Sequence, residues 1–282
     1  MSAIPFCKFQ GFGNDYIVIE RRFIPEQAPL GQFAREICHR NTGAGADGIA
    51  VLERLDGVSA DYNCEIVNPD GSIAGFSGNG TRCAVAYLHF KDLWSDVDLR
   101  LKTLSGVKNY HLIKREGGEF WFDAEIGIPR FASDEIPVLV RSRRDHVVNE
   151  PIVIEGKNYL FSAINVGNPV ACIFVDNFDF DWRGLGRSME THDKFPERAN
   201  IVFVKVVDRK NIDIRIWERG AGETFASGTC ASAAAVLSAL ALKTERKVHV
   251  HSEGGTTLVN WREDDEIVIT GRADLAFCGE WP

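Results

Sequence analysis

The sequence predicts an α+β protein of two similar domains, each a mixed or antiparallel sheet wrapped around a central buried helix. The first observation is a pair of matching segments 150 residues apart, Ser77-Gly78-Asn79-Gly80 and Ser227-Gly228-Thr229, each opening a run of Ala and short apolar residues. The second is that turn-bounded strand patterns flank both runs. No low-complexity tract or long linker separates the halves. We therefore expect them to pack closely, with a ligand cleft between them.

The second helical run is unusual because it lacks a polar face. Residues 230–242 are apolar on every side, which is typical of a helix buried all round. The first turn of such a helix presents unpaired N–H groups and the positive end of the helix dipole, which suit a carboxylate. The alternative is a pair of ordinary N-capped core helices. The repetition of the device favours an anion site.

In the first half, strands are predicted around a Gly-rich loop at Gly11-Phe12-Gly13, within residues 6–20. The other predicted elements are a helix at 32–39, a loop at 40–48, a strand at 62–68, a turn at 68–72, the first buried helix, and strands at 99–103, 110–114 and 119–126. Residues 127–137 are expected to connect the halves. The predicted N-terminal domain spans residues 1–127, with the tail 270–282 expected to return to it.

The second half, residues 128–269, repeats this order. The predicted elements are a hairpin over 152–166, a short helix at 185–188, a hairpin over 201–217, the second buried helix, and strands at 248–252, 257–261 and 266–269.

Composition restricts the class of partner. The chain has 282 residues and a net charge of −8, which gives no electrostatic reason to expect nucleic acid or an anionic membrane. No apolar stretch reaches the roughly 20 residues needed to cross a bilayer, and residues 1–6 carry no export signal.

The cysteines indicate a reducing compartment. Seven are scattered without a CxxC pair, so we expect reduced thiols in the cytoplasm, with neither a disulfide framework nor a zinc site. Gly11-Phe12-Gly13 lacks the third glycine and the helix of a dinucleotide fingerprint. The loops are rich in Gly, Asn, Thr and Ser, which suit a small polar ligand and call for no metal or cofactor.

Seven motifs in order resemble the diaminopimelate epimerase family, within the wider diaminopimelate epimerase/proline racemase fold group. They cover nearly the whole chain: residues 9–16 (FQGFGNDY), 43–48 (GAGADG), 68–72 (NPDGS), 77–83 (SGNGTRC), 167–169 (GNP), 198–204 (RANIVFV) and 217–229 (WERGAGETFASGT).

The resemblance implies a cofactor-independent isomerase that interconverts LL- and meso-2,6-diaminopimelate, and a homodimer. It implies that backbone N–H groups at the two helix starts hold the α-carboxylate of this amino-acid substrate; by position these are Gly78, Asn79, Gly228 and Thr229. It also implies that the far end of the substrate is read by Asn14, Asn68, Asn168, Asn200, Glu218 and Arg219, all present here. An arginine among amides suits a distal carboxylate and ammonium.

The chain departs from the family at the proton-transferring residues. The family has cysteines where this chain has Ser77 and Ser227, and a histidine where it has Val170. A thiol has a pKa near 8.5 and an alcohol one closer to roughly 15.7, a gap of about 7 units or roughly 10 kcal/mol. No His, Lys or carboxylate lies beside either serine in the sequence to accept its proton. Cys83 and Cys230 lie deeper in their helices and are predicted to be core thiols.

Three interpretations follow. The first is the epimerase fold with impaired activity, because Ser77 and Ser227 occupy the catalytic positions. The second is an isomerase or dehydratase of the same fold acting on another amino or hydroxy acid. The third is a non-catalytic amino-acid-binding protein. The far-end residues favour a ligand similar to diaminopimelate in each case.

Overall fold

The structure, a computed structural model, describes residues 3–282 and divides into two compact units. One comprises the described residues up to Ala124 together with Thr270–Pro282, and the other comprises Glu125–Ile269. The predicted boundary between folding domains at residue 127 stays a prediction. The longest helices described have 13 residues, and none in the range 3–282 is long and apolar enough to cross a membrane.

Up to Ala124, the first unit contains two α-helices, seven complete strands and most of an eighth, with a 3-10 turn at Arg21–Phe23. The helices are α1 (Leu30–Ile37) and α2 (Gly78–Phe90). The strands are β1 (Ile4–Gly11), β2 (Asn14–Glu20), β3 (Ile49–Arg54), β4 (Tyr62–Val67), β5 (Ile73–Ala74), β6 (Asp98–Thr103), β7 (Gly106–Glu116) and β8 (Glu119–Gly127).

The second unit repeats this content. Its helices are α3 (Trp182–Glu190) and α4 (Gly228–Leu240). Its strands are β9 (Val147–Ile154), β10 (Lys157–Asn165), β11 (Pro169–Phe174), β12 (Asn200–Asp208), β13 (Asn211–Glu218), β14 (Gly222–Thr224), β15 (Lys247–Ser252) and β16 (Gly255–Trp261). The last strand, β17 (Ile267–Trp281), belongs to the first unit from Thr270 onward and pairs there antiparallel with β1.

The two units share one order of strand pairings. In the first, β1–β2 is antiparallel, β2–β3 parallel, β3–β4 antiparallel, β4–β6 parallel and β6–β7 antiparallel. The second unit follows the same alternation of antiparallel and parallel pairs, in the order β10–β11, β11–β12, β12–β13, β13–β15 and β15–β16. Because α2 and α4 begin at the same point of this order, Ser77 and Ser227 occupy equivalent positions, as do the ends of β4 and β13.

In each unit the strands surround the central helix, which confirms the predicted fold class. α2 packs on β1, β2, β3, β4 and β6, and α4 packs on β10, β11, β12, β13, β15 and β16. Most residues of both helices are buried, as expected for α4 from its lack of a polar face. The amphipathic helices α1 and α3 each pack on a separate apolar cluster of their own unit.

The sequence patterns missed β3 and β11, which are short and do not alternate, because the first four residues of β3 and the first five of β11 are all buried. They also predicted α3 too short, because its amphipathic run continues at both ends.

The expectation of seven reduced thiols is wrong for one pair. Cys7 and Cys278 form a disulfide across a sequence separation of 271 residues. They lie directly opposite each other where β1 pairs with β17. Residue spacing carries no sign of this contact, because only the pairing of the first and last strands brings the two sulfurs together. The other five cysteines are free and buried.

Candidate active site

In the first unit, Ser77 is the N-cap of α2. Its Oγ accepts a hydrogen bond from the Gly80 amide at 3.1 Å, so the N-capped interpretation is confirmed for this helix. The same Oγ lies 2.9 Å from the hydroxyl of Tyr16. The first backbone bond of the helix runs from Thr81 N to Ser77 O. The amides of Gly78 and Asn79 therefore precede the helical hydrogen bonds and point from the positive end of the helix.

Two glycines let the Tyr16 ring reach this helix start. A Cβ added at Gly48 or at Gly80 would lie 2.8 Å from Cε1 of that ring. Any larger residue at either position would push the ring away. The motifs GAGADG and SGNGTRC each contribute one of these glycines. The sequence analysis did not identify Tyr16 as a site residue. Tyr16 lies two residues after Asn14 on β2, so the two side chains are on the same face of the strand.

Polar side chains beside Ser77 form a connected group. Asn14 donates from Nδ2 to Asp47 Oδ2 at 2.8 Å and accepts at Oδ1 from Asn79 Nδ2 at 3.2 Å. Arg82 donates from Nη2 to Asn79 Oδ1 at 2.5 Å and from Nε to the carbonyl of Arg272 at 2.8 Å. Arg82 is only 2% exposed. Its buried positive charge lies one helical turn from the amides of Gly78 and Asn79, and favours an anion there.

Asn68 is hydrogen-bonded within its own turn rather than to this group. Its Nδ2 donates to Ser72 Oγ at 2.9 Å and its backbone N–H donates to the Ser72 carbonyl, so both bonds close its own turn. The structure thus joins Asn14 and Asn79 by a hydrogen bond, while Asn68 is fixed by the turn after β4.

In the second unit, Ser227 is not bound in the same way. Its side chain makes no cap bond to α4, and the hydroxyl instead donates to Glu218 Oε1 at 2.6 Å. The first backbone bond of α4 runs from Ala231 N to Ser227 O. The amides of Gly228 and Thr229 precede it, as their counterparts do in α2.

The remaining candidates of the second unit form two hydrogen-bonded groups, one of which includes Ser227. Thr229 Oγ1 is 3.4 Å from Ser227 Oγ and accepts from Asn168 Nδ2 at 3.3 Å. Arg219 N donates to Asn200 Oδ1 at 2.9 Å, and Arg219 Nη1 donates to the Glu197 carbonyl at 3.0 Å. Four side chains predicted from separate motifs are therefore brought together, namely Asn168, Glu218, Ser227 and Thr229, while Asn200 holds the backbone of Arg219, the residue after Glu218.

Glu218 corrects an inference made from sequence neighbours alone. No acid or base adjoins Ser227 in the chain, yet Glu218, nine residues earlier, contacts it because β13 ends beside the start of α4. Burial raises the pKa of the Glu218 carboxyl above its usual value, and the hydrogen bond from Ser227 opposes this rise. Because this hydrogen bond crosses from a strand to a helix, sequence spacing alone did not indicate it.

The neighbouring thiols are core groups, as predicted. Cys83 and Cys230 are fully buried, and burial raises the pKa of Cys83 to about 12 and that of Cys230 well above its usual value. Both thiols are therefore neutral at physiological pH. Val170 is also fully buried. Within residues 3–282, no group of three or more His, Cys, Asp or Glu side chains is arranged to hold a metal ion.

The chain is similar to known proteins along nearly its whole length. The sequence profile of the family described as diaminopimelate epimerase matches residues 6–124 and 162–276. Proteins named diaminopimelate epimerase from Caldanaerobacter subterraneus and Pelotomaculum thermopropionicum are 40% and 37% identical, each over 98% of both chains.

Solved structures share the fold at much lower identity. A Bacillus anthracis phenazine biosynthesis protein of the PhzF family has a TM-score of 0.69 at 16% identity, covering 100% of both chains. A probable proline racemase from Agrobacterium radiobacter has a TM-score of 0.68 at 14% identity, covering 98% of this chain and 92% of that one.

Proposed function

Because the chain belongs to the diaminopimelate epimerase family, we propose that it is a cofactor-independent amino-acid epimerase that interconverts LL- and meso-2,6-diaminopimelate. This reaction would serve the synthesis of lysine and of cell-wall precursors. The observation that supports the proposal is the hydrogen-bonded series at the start of α4, in which four polar side chains predicted for ligand binding or proton transfer meet.

The α-carboxylate is the natural ligand of the helix starts. The amides that precede the first helical hydrogen bond belong to Gly78 and Asn79 in α2 and to Gly228 and Thr229 in α4. The buried guanidinium of Arg82 adds positive charge to the first of these. Holding the carboxylate there would also stabilise the negative charge that develops when the α-proton leaves.

The far end of the substrate requires a reader of one carboxylate and one ammonium. We assign this task to Asn14, Asn68, Asn168, Asn200, Glu218 and Arg219. Arg219 supports the assignment because its backbone is fixed by Asn200 while its planar donor group can bind a carboxylate in bidentate fashion. The Oδ1 of Asn168 is buried without a hydrogen-bond partner among the described residues, so an ammonium there would remove an unfavourable unpaired acceptor.

Proton transfer falls to Ser77 and Ser227. A hydroxyl is a much weaker acid than a thiol, so we expect slower turnover than a cysteine pair would give, unless a neighbour accepts the serine proton. Replacement of both serines by cysteine should then raise the rate by orders of magnitude. The runner-up function, a non-catalytic amino-acid-binding protein, is favoured by the use of Ser77 as an ordinary N-cap.

The test is exchange of the α-proton. The protein is incubated in D2O with LL- or meso-diaminopimelate, and loss of the α-proton signal is followed by NMR. We expect slow exchange in the starting protein, faster exchange in S77C/S227C, and none in S77A/S227A. Binding of diaminopimelate without exchange in both the starting protein and S77C/S227C would instead establish the binding protein.

We also propose that the chain forms a homodimer and is located in the cytoplasm. Light scattering of the purified protein should give about twice the 31.4 kDa chain mass, and a mass equal to one chain would contradict the dimer. Fractionation of cells that express the protein tests the location, and recovery outside the cytoplasmic fraction would contradict it.

A further inference from the structure

The Ser77 hydroxyl lies between a backbone amide and a phenol. Its Oγ accepts a hydrogen bond from the Gly80 amide at 3.1 Å and lies 2.9 Å from the hydroxyl of Tyr16. The amide can only donate, so it occupies one lone pair of the serine oxygen. Either hydroxyl can donate in the second bond, and a phenol is the stronger acid, because its pKa in water is about 10 while an alcohol is closer to roughly 15.7. When the phenol donates, Ser77 accepts twice and its own proton is available to a ligand.

The Tyr16 ring is held where its hydroxyl meets Ser77. The residue is only 5% exposed. A Cβ at Gly80 would lie 2.8 Å from Cε1 of the ring and 3.0 Å from its Cζ, and a Cβ at Gly48 would lie 2.8 Å from Cε1 and 3.0 Å from the Val67 carbonyl. Neither glycine has a positive φ, so the backbone conformation does not require glycine at these positions. The ring is the nearest neighbour of a Cβ at both, and the room that it needs accounts for the missing side chains.

The repeated topology gives these three residues equivalents in the second unit. The parallel pairs β2–β3 and β11–β12 identify two of them, and the third lies three residues after the serine at the helix start. The equivalents of Tyr16, Gly48 and Gly80 are, in that order, Val170, Asn200 and Cys230. Where a smaller side chain replaces the ring, larger residues replace both glycines. The two glycines therefore accompany the phenol, and a phenol at this position occurs only in the first unit.

We propose that Tyr16 supplies the proton that Ser77 passes to the α-carbon of the substrate, so that the two hydroxyls form a proton relay. This inference rests on the proposed function and deepens it, because it assigns the source of the proton at Ser77. Ser77 is the group that touches the substrate, and Tyr16 acts through it.

The relay balances with water as the only added reagent. The Ser77 Oγ–H bond breaks, and its proton bonds to the α-carbon, whose electron pair forms the new C–H bond. The Tyr16 Oη–H bond breaks at the same time, and its proton bonds to Ser77 Oγ. Tyr16 is left as a phenolate, which takes a proton from water, while the group that removed the original α-proton returns one to water. In reverse, Ser77 Oγ accepts an α-proton as its own proton passes to the phenolate.

The relay leaves its negative charge on a phenolate instead of an alkoxide. In water a phenol is about 6 pKa units more acidic than an alcohol, and it lies much nearer to a thiol with its pKa near 8.5. After the transfer, Ser77 can donate its new proton to the phenolate across the same 2.9 Å contact. The positive end of α2, where Ser77 is the N-cap, also favours a negative charge there. The phenol thus offsets most of the weakness of serine as an acid.

The first test is Y16F, which removes the hydroxyl and keeps the ring between the two glycines. The measured rate is the interconversion of LL- and meso-diaminopimelate, because inversion requires proton transfer at Ser77. We expect kcat to fall roughly 10²- to 10⁴-fold, with KM unchanged because Tyr16 does not touch the substrate. A raised KM with unchanged kcat would mean that Tyr16 only supports binding, and would overturn the inference.

The matched control is Y110F. It removes a buried phenol hydroxyl that lies 2.6 Å from Thr81 Oγ1 in the same helix and makes no hydrogen bond to the Ser77 hydroxyl. Interconversion per folded molecule should be unchanged in Y110F. If Y16F is as active as Y110F, Tyr16 supplies no proton.

A cysteine background separates proton supply from structural support. A thiol is acidic enough to transfer its own proton, so S77C/S227C does not need the phenol. Y16F should therefore lower kcat far less in S77C/S227C than in the starting protein. Equal fold-losses in the two backgrounds would show that the Tyr16 hydroxyl only supports the structure, and would overturn the inference.

A further measurement needs no substrate. The S77C thiol should ionise at lower pH beside Tyr16 than in S77C/Y16F, because a hydrogen bond from the phenol favours the thiolate. Brief iodoacetamide treatment across a range of pH, with mass spectrometry of the peptide that carries residue 77, gives both midpoints. Equal midpoints would overturn the contact.

The outcomes distinguish the inference from the proposed function. If neither the starting protein nor S77C/S227C interconverts the isomers, the proposed function fails and the inference fails with it. If S77C/S227C is active and the starting protein is inactive, or if activity survives Y16F unchanged, the inference alone fails.

Discussion

At the scale of single residues, Ser77 combines two tasks that are usually separate. It caps α2 through Gly80 and holds the hydroxyl of Tyr16. Ser227, at the equivalent position, leaves α4 uncapped and binds Glu218. The same amino acid in the same local sequence therefore caps a helix in one unit and donates to a carboxylate in the other, because the partner side chains differ.

The cap bond predicts a stability effect. S77A should lower the free energy of unfolding by about 1 kcal/mol, because the Gly80 amide loses its acceptor. Urea denaturation followed by circular dichroism measures this loss. The exposed Ser59 provides the control, and S59A should stay within about 0.5 kcal/mol of the starting protein. Equal stabilities of S77A and S59A would show that the cap contributes nothing.

At the scale of elements, α2 depends on close approach rather than on helix propensity. A Cβ at Gly80 would lie 2.8 Å from the Tyr16 ring and 3.0 Å from Ile66 Cδ1. A Cβ at Gly78, two residues earlier in the same helix, would meet only Phe76 Cε1 at an ordinary 3.8 Å. The two glycines therefore have different reasons to lack a side chain, although the sequence shows them as one motif.

Alanine at each position tests this difference. In G80A, overpacking of about 1–3 kcal/mol should exceed the gain of at most about 1 kcal/mol from helix propensity, so the protein should be less stable. G78A should be neutral or slightly stabilising. Thermal unfolding of both variants decides the point, and a more stable G80A would mean that the Tyr16 ring can move aside at little cost.

At the scale of the whole molecule, the chain ends are joined. The disulfide between Cys7 and Cys278 encloses nearly the entire chain, with a separation of 271 residues. A cross-link over so long a loop restricts the unfolded state strongly. The disulfide thus acts on global stability, although it lies far along the chain from Ser77 and Ser227.

Reduction should therefore destabilise the protein. Dithiothreitol should lower the free energy of unfolding by about 2–5 kcal/mol in the starting protein. It should have no effect on C278S, which already lacks the bond. Guanidinium denaturation with and without reductant gives the comparison. If reductant leaves the starting protein unchanged, the disulfide contributes no net stability.

The sequence by itself determined the fold class, the two buried helices and most strands, and it predicted the site residues. It could do so because these depend on local patterns: apolar runs without a polar face, turn residues at fixed spacing, and motifs in a fixed order. The buried strands β3 and β11 escaped because a strand covered on both faces does not alternate.

The tertiary structure alone decided which side chains meet. Glu218 contacts Ser227 because a strand end meets a helix start, Tyr16 reaches Ser77 because two glycines leave room, and Cys7 joins Cys278 because the first and last strands pair. These contacts depend on the packing of elements distant in the chain, and a proton moves only between atoms in hydrogen-bond contact. The chemistry available to the two serines therefore follows from that packing rather than from their neighbours in sequence.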